Sequence, residues 1–238
     1  MLPDIDIVGQ EKLIGARVLI VGLGGLGSPV ALYLAASGVG SLTLADFDSV
    51  DISNLQRQIL HTTESIGVPK TESARRRIFE LNPDVKTRLV GQKMSLSMLE
   101  KEVVLADIVV DCTDNFEVRF AINEACLRQR TTLVTGAAIR LEGQLMVVDA
   151  ENEAMPCYCC LYQSASQGAL NCSETGVAAP IVGVIGALQA METLKLIVGV
   201  GESLAGYLLT FDARFMDWRK LKLPQHPDCQ ACKTFKNR

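Results

Sequence analysis

Aromatic residues are scarce in this chain, 5% of 238 residues with a single tryptophan. A base-stacking platform for single-stranded nucleic acid is therefore not expected. Positive charge is also in short supply. The 23 Lys and Arg face 27 Asp and Glu, a net charge of −4, which leaves no broad basic surface for nucleic-acid phosphates. The opening residues, MLPDIDIVGQ, are acidic and lack the apolar core of an export signal. The longest apolar stretch, Val177 to Val200, contains Pro180 and is broken by Gln189, Glu192 and Lys195. It reads as a core or interface helix rather than a membrane span. Neither membrane nor nucleic acid is expected as a partner, and a cytoplasmic location follows as the expectation. No Walker-type G-x-x-x-x-G-K-[ST] motif occurs, which argues against a P-loop ATPase. The two histidines, His61 and His226, form no recognisable triad or ligand set.

Hydrophobic residues are plentiful, at 48%, enough for a packed core. Arg17 to Gly22 reads as a buried parallel strand, and Ser41 to Asp46, Lys86 to Val90, Ile108 to Asp111 and Thr132 to Thr135 read as the second to fifth strands. Helical spacing over about Ser28 to Ser37, Lys70 to Leu81 and Phe116 to Arg128 falls between them. Strands alternating with helices predict an α/β fold with a Rossmann-like, doubly wound parallel sheet. Beyond Arg140 the pattern changes. Gln144 to Val148 follows too closely for a crossover helix, so an antiparallel turn is expected. Leu208 to Asp212 and Phe215 to Lys220 predict a further hairpin. The reading is one continuous domain over 1–238, with a nucleotide-binding half at about 15–140 and a more antiparallel half at about 141–238.

Gly22-Leu-Gly24-Gly25-Leu-Gly27 fits G-x-G-x-x-G between a strand and a helix, and Asp46 follows 19 residues after Gly27. Such glycines let a phosphate approach the backbone at a helix N-terminus, and the acidic residue accepts from ribose hydroxyls. The motif alone does not separate ATP from NAD. Arg57 and Lys70 lie close in sequence to the second strand. A dehydrogenase needs little cationic help there, whereas cleavage of a triphosphate does. Two solvated surface cations are the plainer alternative. Cys112-Thr113-Asp114-Asn115 follows the fourth strand at the edge where open α/β sheets bind ligands. Asp114 can hold Mg²⁺ against phosphate oxygens, and Asn115 can equally serve as a helix cap.

Eight cysteines in a chain without an export signal do not read as a disulfide framework. Cys157/Cys160 and Cys229/Cys232 form two C-x-x-C pairs separated by 68 residues. Four thiolates at that bite suit tetrahedral Zn²⁺, and a closed site of this kind is structural. It would pin the extreme C-terminus to the middle of the chain. Cys112 and Cys126 read as core. Cys172, in the polar loop Leu170 to Gly176, is either buried filler or a reactive thiol.

Together, GLGGLGS, ADFD, SNLQRQ, PK, CTDN, GAAIRLEGQ, LNCSETG, GVIGALQAMETLK and the two cysteine pairs resemble the MoeB/ThiF/HesA family of ubiquitin-activating-like adenylyltransferases, over nearly the whole chain and in a single order. The resemblance is strongest to the family's molybdopterin branch, with the thiamine branch as close rival. It implies an ATP site at Gly24, Gly25, Asp46, Asn54, Arg57, Lys70, Asp114 and Asn115. The structural zinc would be held by Cys157, Cys160, Cys229 and Cys232, and the family's conserved thiol falls on Cys172. In the thiamine branch that thiol takes part in sulfur chemistry, and in the molybdopterin branch adenylation is thought not to need it.

The implied reaction is attack by the C-terminal carboxylate of a small ubiquitin-like (β-grasp) sulfur carrier ending in Gly-Gly on the α-phosphorus of ATP, with loss of pyrophosphate. The expected carrier is the small subunit of molybdopterin synthase in molybdenum cofactor biosynthesis, or alternatively the thiamine-pathway carrier. Catalytic roles are expected for Arg57, Lys70 and Asp114, with Cys172 left open. A homodimer is implied too. The chain ends at Arg238 with no appended rhodanese domain, so a separate sulfur donor is expected. Family members usually begin with an Arg-Tyr-x-Arg-Gln-like segment ahead of the part matching Leu2 to Gly9, and its arginine reaches the other protomer's ATP site. Here Met1 directly precedes Leu2, and a start assigned too far downstream is favoured over loss of the arginine. An NAD(P)-dependent oxidoreductase and a catalytically silent nucleotide-binding scaffold are the competing classes.

Overall fold

The computed structural model describes residues 3–162 and 176–236. After helix α1 (Asp6–Gly15), strands β1 (Arg17–Val21), β2 (Ser41–Ala45), β3 (Lys86–Val90), β4 (Ile108–Asp111) and β5 (Thr132–Ile139) pair in the order β3-β2-β1-β4-β5. All four of these pairings are parallel. The connections between them carry α2 (Gly27–Ala36), α3 (Lys70–Leu81), α4 (Leu96–Val103) and α5 (Phe116–Gln129). Helices cover both faces, which is why β4 is buried throughout and β1 everywhere but its first residue. Chain order reverses between β1 and β4, leaving a crevice beyond their C-terminal ends.

From β5 the sheet continues with antiparallel strands β6 (Glu142–Val148), β7 (Tyr207–Asp212) and β8 (Asp217–Lys222), making eight in one sheet. The β5–β6 turn needs only Arg140 and Leu141, with Arg140 at φ 53°. The expected antiparallel change is therefore present, although β5 runs four residues beyond Thr135. The β7–β8 hairpin starts its second strand at Asp217, two residues later than the sequence pattern suggests. Its turn occupies 213–216, with Met216 at φ 53°. Two short helices, α6 (Tyr158–Leu161) and α8 (Gln230–Lys236), flank the cysteine pairs.

Helix α7 (Ala179–Val198) is the apolar stretch expected to be a core helix. By length and composition it is the one described helix that qualifies for crossing a membrane. Its Ile181, Val182 and Ile185 instead pack into the sheet-face core together with Leu13 of α1, Leu34 of α2 and Ile78 of α3. Leu99 of α4 and Ile122 of α5 pack on the opposite face with Cys160 and Cys232. Helix α7 ends at Gly199, which takes the left-handed conformation at φ 80° and donates to the Lys195 carbonyl. Lys12 of α1 donates to the Val198 carbonyl at 2.6 Å.

Helices α2 and α7 cross tightly at Gly186. A Cβ there would fall on the Leu26 carbonyl oxygen and within 2.5 Å of Pro29 Cγ. Gly186→Ala gains about 1 kcal/mol of helix propensity, but forcing the two helices apart costs about 2–3 kcal/mol. The expected net loss of about 1–2 kcal/mol would lower Tm by roughly 2–8 °C, as measured by thermal denaturation followed by circular dichroism.

Candidate functional site

The glycine turn leaves β1 at Gly22, whose φ of 90° favours glycine. A Cβ at Gly22 would also meet the Cys112 carbonyl oxygen at 2.9 Å, so the turn lies directly against the end of β4. Gly24 and Gly25 follow at the mouth of α2. Gly24 faces the buried Gln58 side chain and Gly25 faces Val182 of α7. Asp46, just past β2, receives the Leu23 N–H at 2.7 Å on one carboxylate oxygen and the Asp48 N–H at 2.9 Å on the other. Each oxygen keeps a further lone pair with which to accept a hydroxyl.

Residues 48–50 and 67–70 run alongside each other through backbone bonds from Val50 to Val68, Gly67 to Val50 and Lys70 to Asp48. This pairing brings the start of α3 back to the end of β2. Lys70 is buried there, and its Nζ lies 3.0 Å from the half-exposed Asp48 carboxylate. The sequence alternative of a solvated surface cation does not describe Lys70. Asn54 closes a 3₁₀ turn (Ile52–Asn54), its carbonyl accepting from the Arg57 and Gln58 N–H groups. The Arg57 guanidinium donates to the Ser53 carbonyl at 3.3 Å.

At the end of β4, Asp111 is a buried carboxylate. It accepts from the Thr113 N–H at 3.0 Å, the Thr113 hydroxyl at 2.7 Å and the Thr135 hydroxyl at 2.7 Å. Arg119 donates to the Thr113 carbonyl. These bonds hold the loop that presents the exposed Asp114. Asn115 is an N-cap, accepting from the Val118 N–H at 3.2 Å.

A cavity of about 430 Å³ opens beside Asp114, over the antiparallel strands. Its floor is made by the residues of β5 to β8 that point to one face, among them Ala137, Gln144, Thr210 and Arg219. Phe116, Tyr158 and Tyr162 form an aromatic wall, with Phe116 and Tyr162 edge to face at 5.5 Å. The Tyr162 hydroxyl donates to Gln144 at 2.9 Å. Burial pushes the Tyr158 hydroxyl up to about 12, so it stays protonated at neutral pH.

On the same sheet face, Cys157, Cys160, Cys229 and Cys232 meet, all buried, with every sulfur within 4.8 Å of the others. Neighbouring sulfurs lie 3.3 to 4.0 Å apart. A disulfide requires about 2.05 Å, whereas four sulfurs around an ion at about 2.3 Å sit roughly 3.8 Å apart. The donor set therefore fits a thiolate-bound metal ion. Burial pushes the Cys229 thiol up to about 12, and a bound cation would reverse that cost by favouring the thiolate. Cys159 stands outside the group and takes a hydrogen bond from Asn123 at 3.4 Å. Cys112 and Cys126 are buried, as expected.

The model of the ThiF family matches residues 1–231. The chain is 47% identical to the sulfur carrier protein ThiS adenylyltransferase of Escherichia coli, covering 98% of this chain and 92% of that one. It is 45% identical to the molybdopterin-synthase adenylyltransferase of the same organism, over 98% and 93%. The crystal structure of E. coli MccB with ATP superposes with a TM-score of 0.83 at 26% identity, covering 95% of this chain and 68% of that one. This chain belongs to the ThiF family. It is an adenylyltransferase.

In this ThiF-family chain the fold brings three of the sequence-identified segments together: the glycine turn, Asp46 with Lys70, and the Asp114 loop. Cys172 lies outside the described residues. Sequence reasoning passed over the cavity wall of Arg119, Tyr158 and Tyr162. Nothing in the local pattern separates Arg119 from the other arginines of amphipathic helices. Gln144 carried a faint signal, as a polar residue on the inward face of an otherwise apolar strand. His61, without an evident partner in sequence, is buried behind the glycine turn.

If the four-cysteine cluster holds its metal, elemental analysis of purified protein will find one divalent ion per chain. Removing it with a chelator, or substituting Cys232→Ser, is expected to lower Tm by several degrees while leaving ATP affinity within about threefold. Metal-free protein with an unchanged Tm would refute this.

Proposed function

We propose that this adenylyltransferase activates the C-terminal glycine carboxylate of a small ubiquitin-like sulfur carrier as an acyl-adenylate, within a single domain spanning the chain. The observation that carries the reading is spatial. The glycine turn, Asp46 and the buried Lys70 converge at the crevice where strand order reverses, and the Asp114 loop joins that crevice to the 430 Å³ cavity. A nucleotide at the first and an extended peptide tail in the second would meet beside Asp114. A Gly-Gly terminus suits such a channel because it has no side chains to exclude.

In this reading Asp46 accepts from the ribose, and the N–H groups around Gly24 and Gly25 face the phosphates. Asn54, Arg57 and Lys70 stabilise charge on the triphosphate and the leaving pyrophosphate. The carrier carboxylate attacks the α-phosphorus, and since it is ionised at pH 7 no general base is required. Asp114, exposed at the lip of the cavity, is a hard oxygen donor of the kind Mg²⁺ takes alongside phosphates. The metal in the cysteine cluster would be Zn²⁺, which suits four thiolates in a closed site, and its role would be structural. The protein would work as a homodimer with a separate sulfur donor.

For the carrier we propose the small subunit of molybdopterin synthase. The 47% identity to a ThiS adenylyltransferase supports the thiamine-type carrier as the second reading. ATP–pyrophosphate exchange measured with each carrier separates the two, and exchange with neither would overturn both.

Lys70→Ala and Arg57→Ala are each expected to lower exchange about a hundredfold, near 3 kcal/mol of lost transition-state stabilisation, with circular dichroism unchanged. Exchange at the parent rate in both variants would remove these cations from the site. Cys172→Ala is expected to retain exchange; a collapse with the fold intact would place the thiol in the activation step and favour the thiamine reading.

A further inference from the structure

His61 is 95% buried, yet neither ring nitrogen is left without a partner. Nε2 lies 2.9 Å from the Leu23 carbonyl oxygen, and Nδ1 lies 2.9 Å from the Ser73 hydroxyl. A carbonyl can only accept, so Nε2 carries the proton and Nδ1 accepts from Ser73. Burial holds the ring pKa below its ordinary value, so the neutral tautomer is the one present at pH 7.

Both partners matter for the nucleotide site. Leu23 lies inside the glycine turn, and its N–H is already taken by Asp46. Its carbonyl and amide are thus held from opposite sides, one by His61 and one by Asp46. Ser73, itself buried, sits one helical turn beyond Lys70 on α3. The imidazole spans the gap between the turn and the helix, two elements separated in sequence by α2, β2 and the whole segment from 46 to 69. Direct backbone pairing ties α3 to the end of β2; the His61 bridge ties it to the end of β1.

We propose that His61 is a positioning residue that sets the distance between the glycine turn and Lys70, so that the turn's N–H groups and the Lys70 ammonium grip one triphosphate together. This rests on the reading that Lys70 acts on the phosphates of ATP. Shifting a charge contact by a fraction of an ångström weakens it more at the transition state, where charge is developing, than in the bound ground state. The signature is therefore a fall in maximal rate larger than the fall in ATP affinity.

The test is ATP–pyrophosphate exchange by the full chain, with whichever carrier supports it, alongside the Kd for Mg-ATP and Tm. His61→Ala is expected to lower the maximal rate about tenfold and to weaken ATP binding about threefold or less. His61→Gln, which returns an amide N–H toward Leu23, is expected to recover most of the rate. On a Lys70→Ala background, His61→Ala is expected to cost less than about twofold, because the two act through one contact. A role confined to stability would lower Tm without that coupling. If His61→Ala fails to fold, Ser73→Ala takes its place, with an expected loss of about threefold that also disappears on the Lys70→Ala background. Parent-level exchange in the folded His61 variant, or losses at His61 and Lys70 that multiply independently, overturns the proposal while leaving the Lys70 reading intact. Parent-level exchange in Lys70→Ala overturns both.

Discussion

The glycine turn of this protein lies against the backbone at the end of β4 with no space for a side chain between them. Gly22 meets the Cys112 carbonyl, Asp46 takes the Leu23 N–H, and His61 meets the Leu23 carbonyl. Those contacts decide where the N-terminus of α2 points, and with it the backbone N–H groups of its first turn. The groups holding the turn come from three separate stretches of chain, the end of β4, the end of β2 and the segment around His61. Each is a short-range interaction of about 1 kcal/mol on its own. Their effect is cumulative, since a turn anchored on all sides needs no reordering when charge builds up in front of it.

The change from parallel to antiparallel pairing at β5 has a functional consequence. A parallel sheet needs crossover helices, and these cover its faces. The two-residue β5–β6 turn and the β7–β8 hairpin carry no such helix, and the long β6–β7 connection places α7 on the opposite face, so among the described residues only α5 and α6 flank the cavity side of these strands. The cavity's floor residue Gln144 alternates with Leu145 and Val147, which pack beneath the sheet toward α7. The same strands thus serve as core on one side and as the floor of the cavity on the other. Asp111 joins the two regions, its carboxylate bonded both to the Asp114 loop and, through Thr135, to β5.

The cysteine cluster answers a problem that this opening creates. The segment after β8 has few apolar residues with which to attach itself. A metal ion bound by two cysteines from each side would join that segment to the α6 region next to the aromatic wall of the cavity. Ordering of a chain end would then come from coordination rather than from burial of area.

The strand–helix alternation, the glycine turn with its acidic partner, the antiparallel change after Arg140 and the two cysteine pairs were all legible in the sequence. They depend on local periodicity, on backbone conformations few residues adopt, and on ligand spacing within one turn of chain. Helices α1 and α4 escaped that reading because α1 buries only Gly9 and Leu13 and α4 is only eight residues long, although Leu96, Leu99 and Val103 do share one face of it. The sequence also left Asn115 and Lys70 each with two open descriptions. In the fold Asn115 caps α5, and Lys70 is buried and bonded to Asp48. The cavity wall, the function of Asp111 and the bridge at His61 belonged to the tertiary structure alone. Each depends on groups separated by tens of residues, and hydrogen-bond partners that far apart leave no mark on local sequence pattern. The family to which the chain belongs was thus written in its motifs, while how firmly those motifs are held in register was decided only when the fold brought their supports together.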